Sequence, residues 1–399
     1  MSNYEYDAIA AGHLCLDIIP AISGGEIGEI FRPGKLVNVG SAVISTGGPV
    51  SNTGIAMKKL GMNMSFIAKV GDDDFGKLAI ERLRTAGNAD GISISQGQNT
   101  SYTVVLASPS FDRIFLHCPG TNDTFASSDV NPDVLSKSRH FHFGYPPLMR
   151  NIYQNEGAEL VEVFKKAKAS GVTTSLDMSL PDPASESGKV NWRTVLAKLL
   201  PYVDVFLPSI EEALFMLEPE RFIKMKEAVG GAELIDHLTA DDYTAFAKTL
   251  LSMGAKMTSL KSGHRGFYFM TGDLDAIEGM GRARPGNAEN WSNRELWCPA
   301  FHMPKVVAAT GSGDSSIAGF LTAFLRGYDL ERTLKLANCV GFQNLQAADA
   351  LSGIKDWEET TAMVDFGNLA MNDLHINNAN WRWDDAAKLM VGPNDAFND

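Results

Sequence analysis

The sequence predicts an α/β fold in which buried strands alternate with amphipathic helices. Two observations carry this. Val306-Val307-Ala308 is a short apolar run, a turn of small residues follows at 309–316, and then Ile317, Phe320, Leu321, Phe324 and Leu325 recur at helical spacing. Gly327 then supplies a stop signal. Short strand-like runs also recur between helical patterns, at 8–12, 173–177 and 203–208, which is the alternation that βαβ units require.

Composition bounds the function. A chain of 399 residues holds one large α/β domain or two smaller ones. The formal charge of −13, with no long basic run, argues against nucleic acid and anionic membrane as partners. Such a chain binds a polyphosphate only with the help of a cation and local backbone N–H groups. Cys15, Cys118, Cys298 and Cys339 are scattered and form no C-x-x-C, so neither a zinc site nor a disulfide framework is expected. The start, Met1-Ser2-Asn3-Tyr4-Glu5-Tyr6-Asp7, lacks a basic and then apolar leader, and no apolar run reaches membrane-spanning length. The expected setting is the cytoplasm.

Taken in order, Ala8-Ile9-Ala10-Ala11-Gly12 reads as a buried first strand. Residues 13–19 continue it, with Asp17 interrupting the apolar run; by itself Asp17 reads as a surface turn residue. Residues 20–45, rich in Gly and Pro, suggest a hairpin excursion. Gly47-Gly48 then opens a helix entrance where a ligand can approach the backbone, and Asn52 offers both a donor and an acceptor. Asp72-Asp73-Asp74 reads as an N-cap cluster at a strand-to-helix turn, since three adjacent carboxylates do not converge on a metal by spacing alone. Two strands are expected at 100–106 and 113–116 around a turn at 108–110, followed by Pro119-Gly120-Thr121-Asn122-Asp123.

His140 and His142 alternate onto one face of a strand with no third ligand at matching spacing, so they read as structural. A helix at 156–170 ends at Gly171, and strands follow at 173–177 and 203–208. Ser209-Ile210-Glu211-Glu212 has the form of a capping box. A strand-turn-strand segment spans 258–269; its Lys261 either reaches a phosphate or is solvated. Residues 271–297, with Trp291 and Trp297, read as an inserted loop. A last helix spans 334–348 and carries Asn338. Trp381 and Trp383 are costly to leave exposed, so they are expected to pack on the domain or on a partner subunit of a homodimer.

The turn at 309–316 has the clearest chemistry. Free N–H groups at a helix N-terminus attract anions, and the helix dipole adds to the effect. Gly311 and Gly313 remove side chains that would keep a phosphate away. A carboxylate beside such a site is either a cap or a proton acceptor, and the turn alone leaves both open for Asp314.

Thr310-Gly311-Ser312-Gly313-Asp314, followed by Ala318-Gly319-Phe320, resembles the C-terminal signature of the PfkB (ribokinase-like) carbohydrate kinases. Four or five blocks in family order extend the resemblance over roughly residues 8–360. It implies a ribokinase-like three-layer αβα sandwich with a small β lid. The kinase domain would span 1–365, with lid segments at about 13–45 and 100–118, the inserted loop at 271–297, and a C-terminal extension at 366–399. It implies Asp314 as catalytic base, with Gly311, Ser312 and Gly313 as the anion hole for the transferring phosphoryl group. Asp17 matches a family G-x-x-x-x-D pattern whose Asp accepts from substrate hydroxyls. Gly47, Gly48 and Asn52 match the N-terminal signature on the sugar side, and Asn122 matches a further substrate-side position. Glu212 matches the Glu of N-x-x-E, which organises Mg²⁺. Lys261, Gly263, Gly266 and Asn338 fall on the nucleotide side.

The resemblance thus implies ATP and Mg²⁺ as cofactors and a small sugar as acceptor. Ser209 stands where the family has Asn, Lys261 where Thr is usual, and Ala308 where relatives activated by K⁺ have Asp; weak or no K⁺ activation is expected. A nucleoside kinase of the same family is one alternative, and a non-catalytic sugar or nucleotide sensor another, although a sensor has no need of a base at a phosphate site. A Walker A motif is absent, and Ser316 occupies the third glycine position of a dinucleotide fingerprint.

Overall fold

The computed structural model describes residues 4–25, 27–108 and 111–397. In chain order the strands are β1 (Tyr6–Gly12), β2 (Cys15–Pro20), β3 (Ala42–Gly47), β4 (Met64–Ile67), β5 (Lys69–Gly71), β6 (Ser93–Ser95), β7 (Tyr102–Ser108) and β8 (Phe111–Cys118). They continue as β9 (Ser138–Gly144), β10 (Thr173–Asp177), β11 (Val205–Phe206), β12 (Met257–Lys261), β13 (Phe267–Thr271), β14 (Glu295–Cys298), β15 (Arg382–Asp384) and β16 (Leu389–Val391).

Alternate residues of β1 decide the layering. Ile9 and Ala11 join one hydrophobic core, Ala8 and Ala10 another, and all four are fully buried. A strand buried on both faces belongs in the middle layer. Among the described residues the central sheet has the order β15-β16-β14-β13-β12-β11-β10-β9-β1-β4. The run from β4 to β12 is parallel, and the strands beyond it are antiparallel. Helices Pro49–Lys59, Asp74–Ala86, Ser312–Leu325 and Leu330–Asn344 bury their apolar faces in the core of Ala8 and Ala10. Helices Arg150–Ala169, Trp192–Leu199, Ile210–Leu217 and Ala240–Ser252 cover the opposite face. This is the three-layer αβα sandwich that the resemblance implies.

The small lid is a separate sheet of order β3-β2-β7-β8. It leaves the sandwich through His13-Leu14, directly after β1. The expected turn at 108–110 falls largely on 109–110, outside the described residues.

Beside β1, the chain first adds β4 on one side and then β9 on the other. This reversal makes the carboxyl ends of β1 and β9 a topological switch point, where ligands of open α/β sheets bind. Gly12 and Gly144 meet there: a Cβ on Gly12, whose φ is +110°, would lie 2.5 Å from the Gly144 carbonyl oxygen. Side chains at this pair would block the crevice.

Two C-terminal stretches differ from, or refine, the sequence reading. The segment 271–297 contains helices Leu274–Glu278 and Ala288–Trp291 and the start of β14, in place of an irregular loop. Its tryptophans explain the order. Trp291 packs on Phe269, Phe320 and Phe324, and Trp297 lies 4.2 Å from the Tyr243 ring centroid. At the tail, β16 pairs with β14, and Trp381 is buried against Tyr268 and Trp297, while Trp383 is exposed. Of the two tail tryptophans, then, Trp381 packs on the domain itself. Among the described residues no helix is long and apolar enough to cross a membrane.

Candidate active site

The helix Ser312–Leu325 begins after Gly311, whose φ of +76° turns the chain into it. Gly311, not Asp314, is the N-cap. Asp314 instead points into the switch-point crevice and is only 2% exposed. Asn52 Nδ2 donates to its Oδ2 at 2.9 Å, and the Tyr145 hydroxyl lies 3.0 Å from both carboxylate oxygens. Thr53 Oγ1 approaches Oδ1 at 3.5 Å. Burial pushes the Asp314 carboxyl up to about 6, and the charge of Asp177 adds to this. The bonds from Asn52 and Tyr145, and the Lys261 ammonium, act the other way.

The turn at 309–313 exposes part of its backbone. Ser312 N–H already donates to Ala309 O at 3.2 Å. Among the described residues the N–H groups of Gly311 and Gly313 meet no protein acceptor. They are among the donors left for an anion.

Two cavities meet at this turn and share Lys261, Gly263 and Gly313. The smaller, of about 280 Å³, is acidic: Asp177, Glu211, Glu212, Glu233 and Asp314 line it, with Lys261 as counter-charge. Lys261 Nζ lies 2.5 Å from Asp177 Oδ1 and also donates to the Leu207 carbonyl. Burial pulls the ammonium down, but Asp177 and Glu212 outweigh it, so it stays above its ordinary value. Lys261 is therefore buried and paired, not solvated. Burial pushes Glu212 up to about 7 against the pull of Lys261. The capping box is complete: Ser209 Oγ accepts from Glu212 N at 3.2 Å, and Glu212 Oε2 accepts from Ser209 N at 2.6 Å.

The larger cavity, of about 480 Å³, is lined by Gly263 and Gly266 on one side and by Phe301, Asn338 and Phe342 on the other. Asn338 Nδ2 donates to the carbonyls of Cys298 and Pro299, both at 3.0 Å. Its amide thus braces the wall of the cavity.

On the lid side, Asp17 sits on β2 against Gly47. A Cβ on Gly47 would lie 2.3 Å from Asp17 Oδ2. Burial raises the Asp17 carboxyl, and Cys15 Sγ donates to it at 3.4 Å. Gly48, with φ +82°, passes so close to His13 that a Cβ would lie 2.5 Å from its carbonyl oxygen.

Asn122 has a structural use. It is fully buried, its Oδ1 accepts from Leu14 N at 3.3 Å, and its Nδ2 donates to Leu14 O at 3.0 Å. Both polar groups hold the lid hinge. Asp73 is the N-cap of Asp74–Ala86, accepting from Gly76 N and from Thr100. His140 and His142 both bond Ser175 Oγ inside the sheet.

Sequence reasoning missed Tyr145, Asp177 and His13. Tyr145 and Asp177 stand at the carboxyl ends of β9 and β10, and strand ends near a switch point were the available signal. Tyr145 adopts a left-handed φ of +64°, a strained state for a residue with a side chain, and this aims its hydroxyl at Asp314. His13 is 3% exposed, and both of its ring nitrogens lack a partner among the described residues.

Comparisons with known proteins agree with this architecture. A model of the pfkB family carbohydrate kinases matches residues 12–357. Fructokinase-2 of Solanum habrochaites is 25% identical over 317 residues, covering 79% of this chain and 80% of that protein. An uncharacterized sugar kinase of Archaeoglobus fulgidus is 22% identical over 300 residues, covering 75% of this chain and 98% of that protein. Among solved structures, the Arabidopsis thaliana ribokinase complexed with ribose and ATP superposes with a TM-score of 0.66 at 17% identity, over 90% of this chain and 99% of that one. The Methanocaldococcus jannaschii nucleoside kinase gives 0.63 at 19% identity, over 91% and 99%. With the fold, the ordered motifs and a family match over most of its length, the chain belongs to the PfkB family of carbohydrate kinases and is a sugar kinase, a phosphotransferase with an alcohol group as acceptor.

Proposed function

We propose that the chain transfers the γ-phosphoryl group of ATP to one hydroxyl of a small sugar, with Asp314 as general base. The observation that carries this is the Asp314 carboxylate, buried at the mouth of a helix N-terminus and oriented by Asn52 and Tyr145. A base is most effective when its pKa lies near the working pH, and burial moves Asp314 toward neutrality. Taking the hydroxyl proton in this way is worth about 10²–10⁴-fold.

The N–H groups of Gly311 and Gly313 stabilise negative charge on the phosphoryl oxygens as transfer proceeds. The Ser312 N–H joins them only if its bond to Ala309 opens. The larger cavity takes the nucleotide, and the lid residues Asp17, Gly47 and Gly48, with Asn52, hold the sugar. Lid closure over the switch point excludes water, which otherwise competes as acceptor.

The donor set suits a magnesium ion shared with a polyphosphate. Five carboxylates face one ammonium in the small cavity, yet among the described residues no three such side chains converge tightly enough to hold a metal unaided. Mg²⁺ characteristically takes one or two carboxylates and completes its shell with phosphate and water. Glu212, with Asp177 beside it, would hold the ion, which when bound neutralises phosphate charge.

The test is ADP release from MgATP over a panel of sugars, sugar acids and nucleosides, with Asp314→Asn beside the wild type. Turnover with a sugar that falls at least about a hundredfold in Asp314→Asn supports the reading. Turnover with nucleosides alone would change the acceptor class and keep the mechanism. Binding of ATP or sugar without turnover would replace the kinase mechanism with a sensor.

A further inference from the structure

The wall of the larger cavity is completed by Asn372, which lies beyond the family match that ends at 357. The segment 370–372 runs antiparallel to 300–302. His302 N donates to Ala370 O at 2.7 Å, Asn372 N donates to Ala300 O at 2.8 Å, and Phe301 bridges to Met371. These links place Asn372 on the cavity rim between two other lining residues, His264 and His302.

The Asn372 amide fixes a proton. Its Nδ2 donates to the His264 carbonyl at 2.9 Å, an oxygen that can only accept. The amide orientation is thereby set, and Oδ1 faces His302 Nδ1 at 2.9 Å. An amide oxygen can only accept, so the proton of the neutral imidazole sits on Nδ1. The remaining ring nitrogen, Nε2, is then an acceptor. Asn372 also ties the 263–266 turn to the segment 300–303 at the cavity mouth.

We propose that Asn372 is a positioning residue for the nucleotide: it holds His302 as a hydrogen-bond acceptor toward a donor group on the nucleoside. The proposal rests on the reading that the larger cavity takes the nucleotide. The ligand chemistry is a donor, supplied either by an exocyclic amine of the base or by a ribose hydroxyl.

The experiment is calorimetric binding of ATP, ITP and 2′,3′-dideoxy-ATP, with KM and kcat measured in parallel. ITP replaces the base amine with an oxo group, and the dideoxy compound lacks both ribose hydroxyls. In the wild type one of the two binds more weakly than ATP, and which one identifies the donor. Asn372→Ala raises the Kd and KM for ATP by roughly fivefold to tenfold, with KM for the sugar unchanged. His302→Ala removes the preference for ATP over the weaker analogue. A purely structural role would move the melting temperature and leave the analogue ratio alone.

An analogue ratio that persists in His302→Ala overturns the proposal, as does wild-type ATP affinity in Asn372→Ala. Gly313→Val separates the two readings. A Cβ there meets only the Lys261 side chain, Cε at 3.5 Å and Cδ at 4.0 Å, so the variant fills the cavity without backbone strain. Loss of ATP binding in Gly313→Val with none in Asn372→Ala sinks the role of Asn372 alone. Undiminished binding in Gly313→Val sinks the nucleotide cavity and the role of Asn372 together.

Discussion

The Tyr145 hydroxyl lies 3.0 Å from each carboxylate oxygen of Asp314, so a single phenol steadies both lone-pair faces of the proposed base. It favours the ionised carboxylate, against the burial that pushes the group up to about 6. The sign follows directly. A general base works ionised, so kcat is expected to fall as pH drops through about 6. Tyr145→Phe deletes the donor and keeps the ring, so the acid limb moves to higher pH. A hydrogen bond to a charged group is worth about 1.5–3 kcal/mol, which corresponds to a shift of about one unit or more. The measurement is kcat against pH for both proteins. Coincident acid limbs would exclude Tyr145 from tuning this base.

Asp314→Asn should lose activity and gain stability. The folded-state carboxyl is raised from the ordinary 3.8 to about 6. Between these values the folded protein holds a proton that the unfolded chain has released. Stability therefore falls as pH rises through that window, and the cost is constant above it. Two units correspond to roughly 3 kcal/mol. An amide in the same place carries no such cost: its oxygen accepts from Asn52, and its nitrogen can donate to the Tyr145 oxygen. Thermal unfolding is expected to show a larger gain for Asp314→Asn at pH 8 than at pH 4. An equal gain at both would mean that the wild-type carboxyl is not raised.

Lys261 is the one cation inside the acidic cavity among the described residues. Its side chain is 13% exposed, and that of its partner Asp177 is 3% exposed. Removing one member of a buried ion pair strands the other, at about 3–5 kcal/mol. Lys261→Met is expected to lower the urea midpoint accordingly, and Lys261→Met combined with Asp177→Asn to recover part of the loss. A double variant no more stable than Lys261→Met would show that Asp177 is not what Lys261 neutralises.

The parts of this site that were legible in the sequence are local. Asp314, Gly311 and Gly313 lie in one turn-helix segment, and their chemistry follows from that turn, although the apolar run Val306-Val307-Ala308 before it forms no strand and leaves Val306 and Val307 half exposed. Ser209 and Glu212 announced a capping box by spacing, and both of its bonds are present. Tyr145 and Asp177 were not legible because their importance depends on strand order. That order is set by the pairing of β1 with β9 and of β9 with β10. The anchoring role of Asn122 was hidden for a related reason. A sequence shows a free amide, but not that Leu14, 108 residues away, takes both of its polar groups. The strands β14, β15 and β16 escaped notice because 271–297 and the tail are rich in polar residues. Their order depends on a few buried anchors, Trp291, Trp297 and Trp381, spaced too widely to make a periodic pattern.

The tail has a second anchor, which yields the last prediction. Asp395 Oδ1 and Oδ2 accept from Arg294 Nε at 3.2 and 3.0 Å, and Oδ2 also accepts from Glu295 N at 2.9 Å. The side chain of Arg294 is 3% exposed and that of Asp395 fully buried. Arg294 carries a second partner, Glu331 on the helix Leu330–Asn344, at 2.6 Å. One guanidinium thus joins β14, the tail and a helix next to that of Asp314. Asp395→Ala leaves a buried donor without its acceptor and is expected to cost about 3–5 kcal/mol. Arg294→Leu combined with Asp395→Leu removes both charges and should cost less than Asp395→Ala, because no buried charge is left unpaired on the tail side. Glu331 is partly exposed and can turn to water. Urea midpoints of the single and double variants decide the matter. If Asp395→Ala unfolds at the wild-type midpoint, the tail contributes no stability through this ion pair, and its hold on the domain rests on its other contacts, among them Trp381, β16 and the pairing of 370–372 with 300–302.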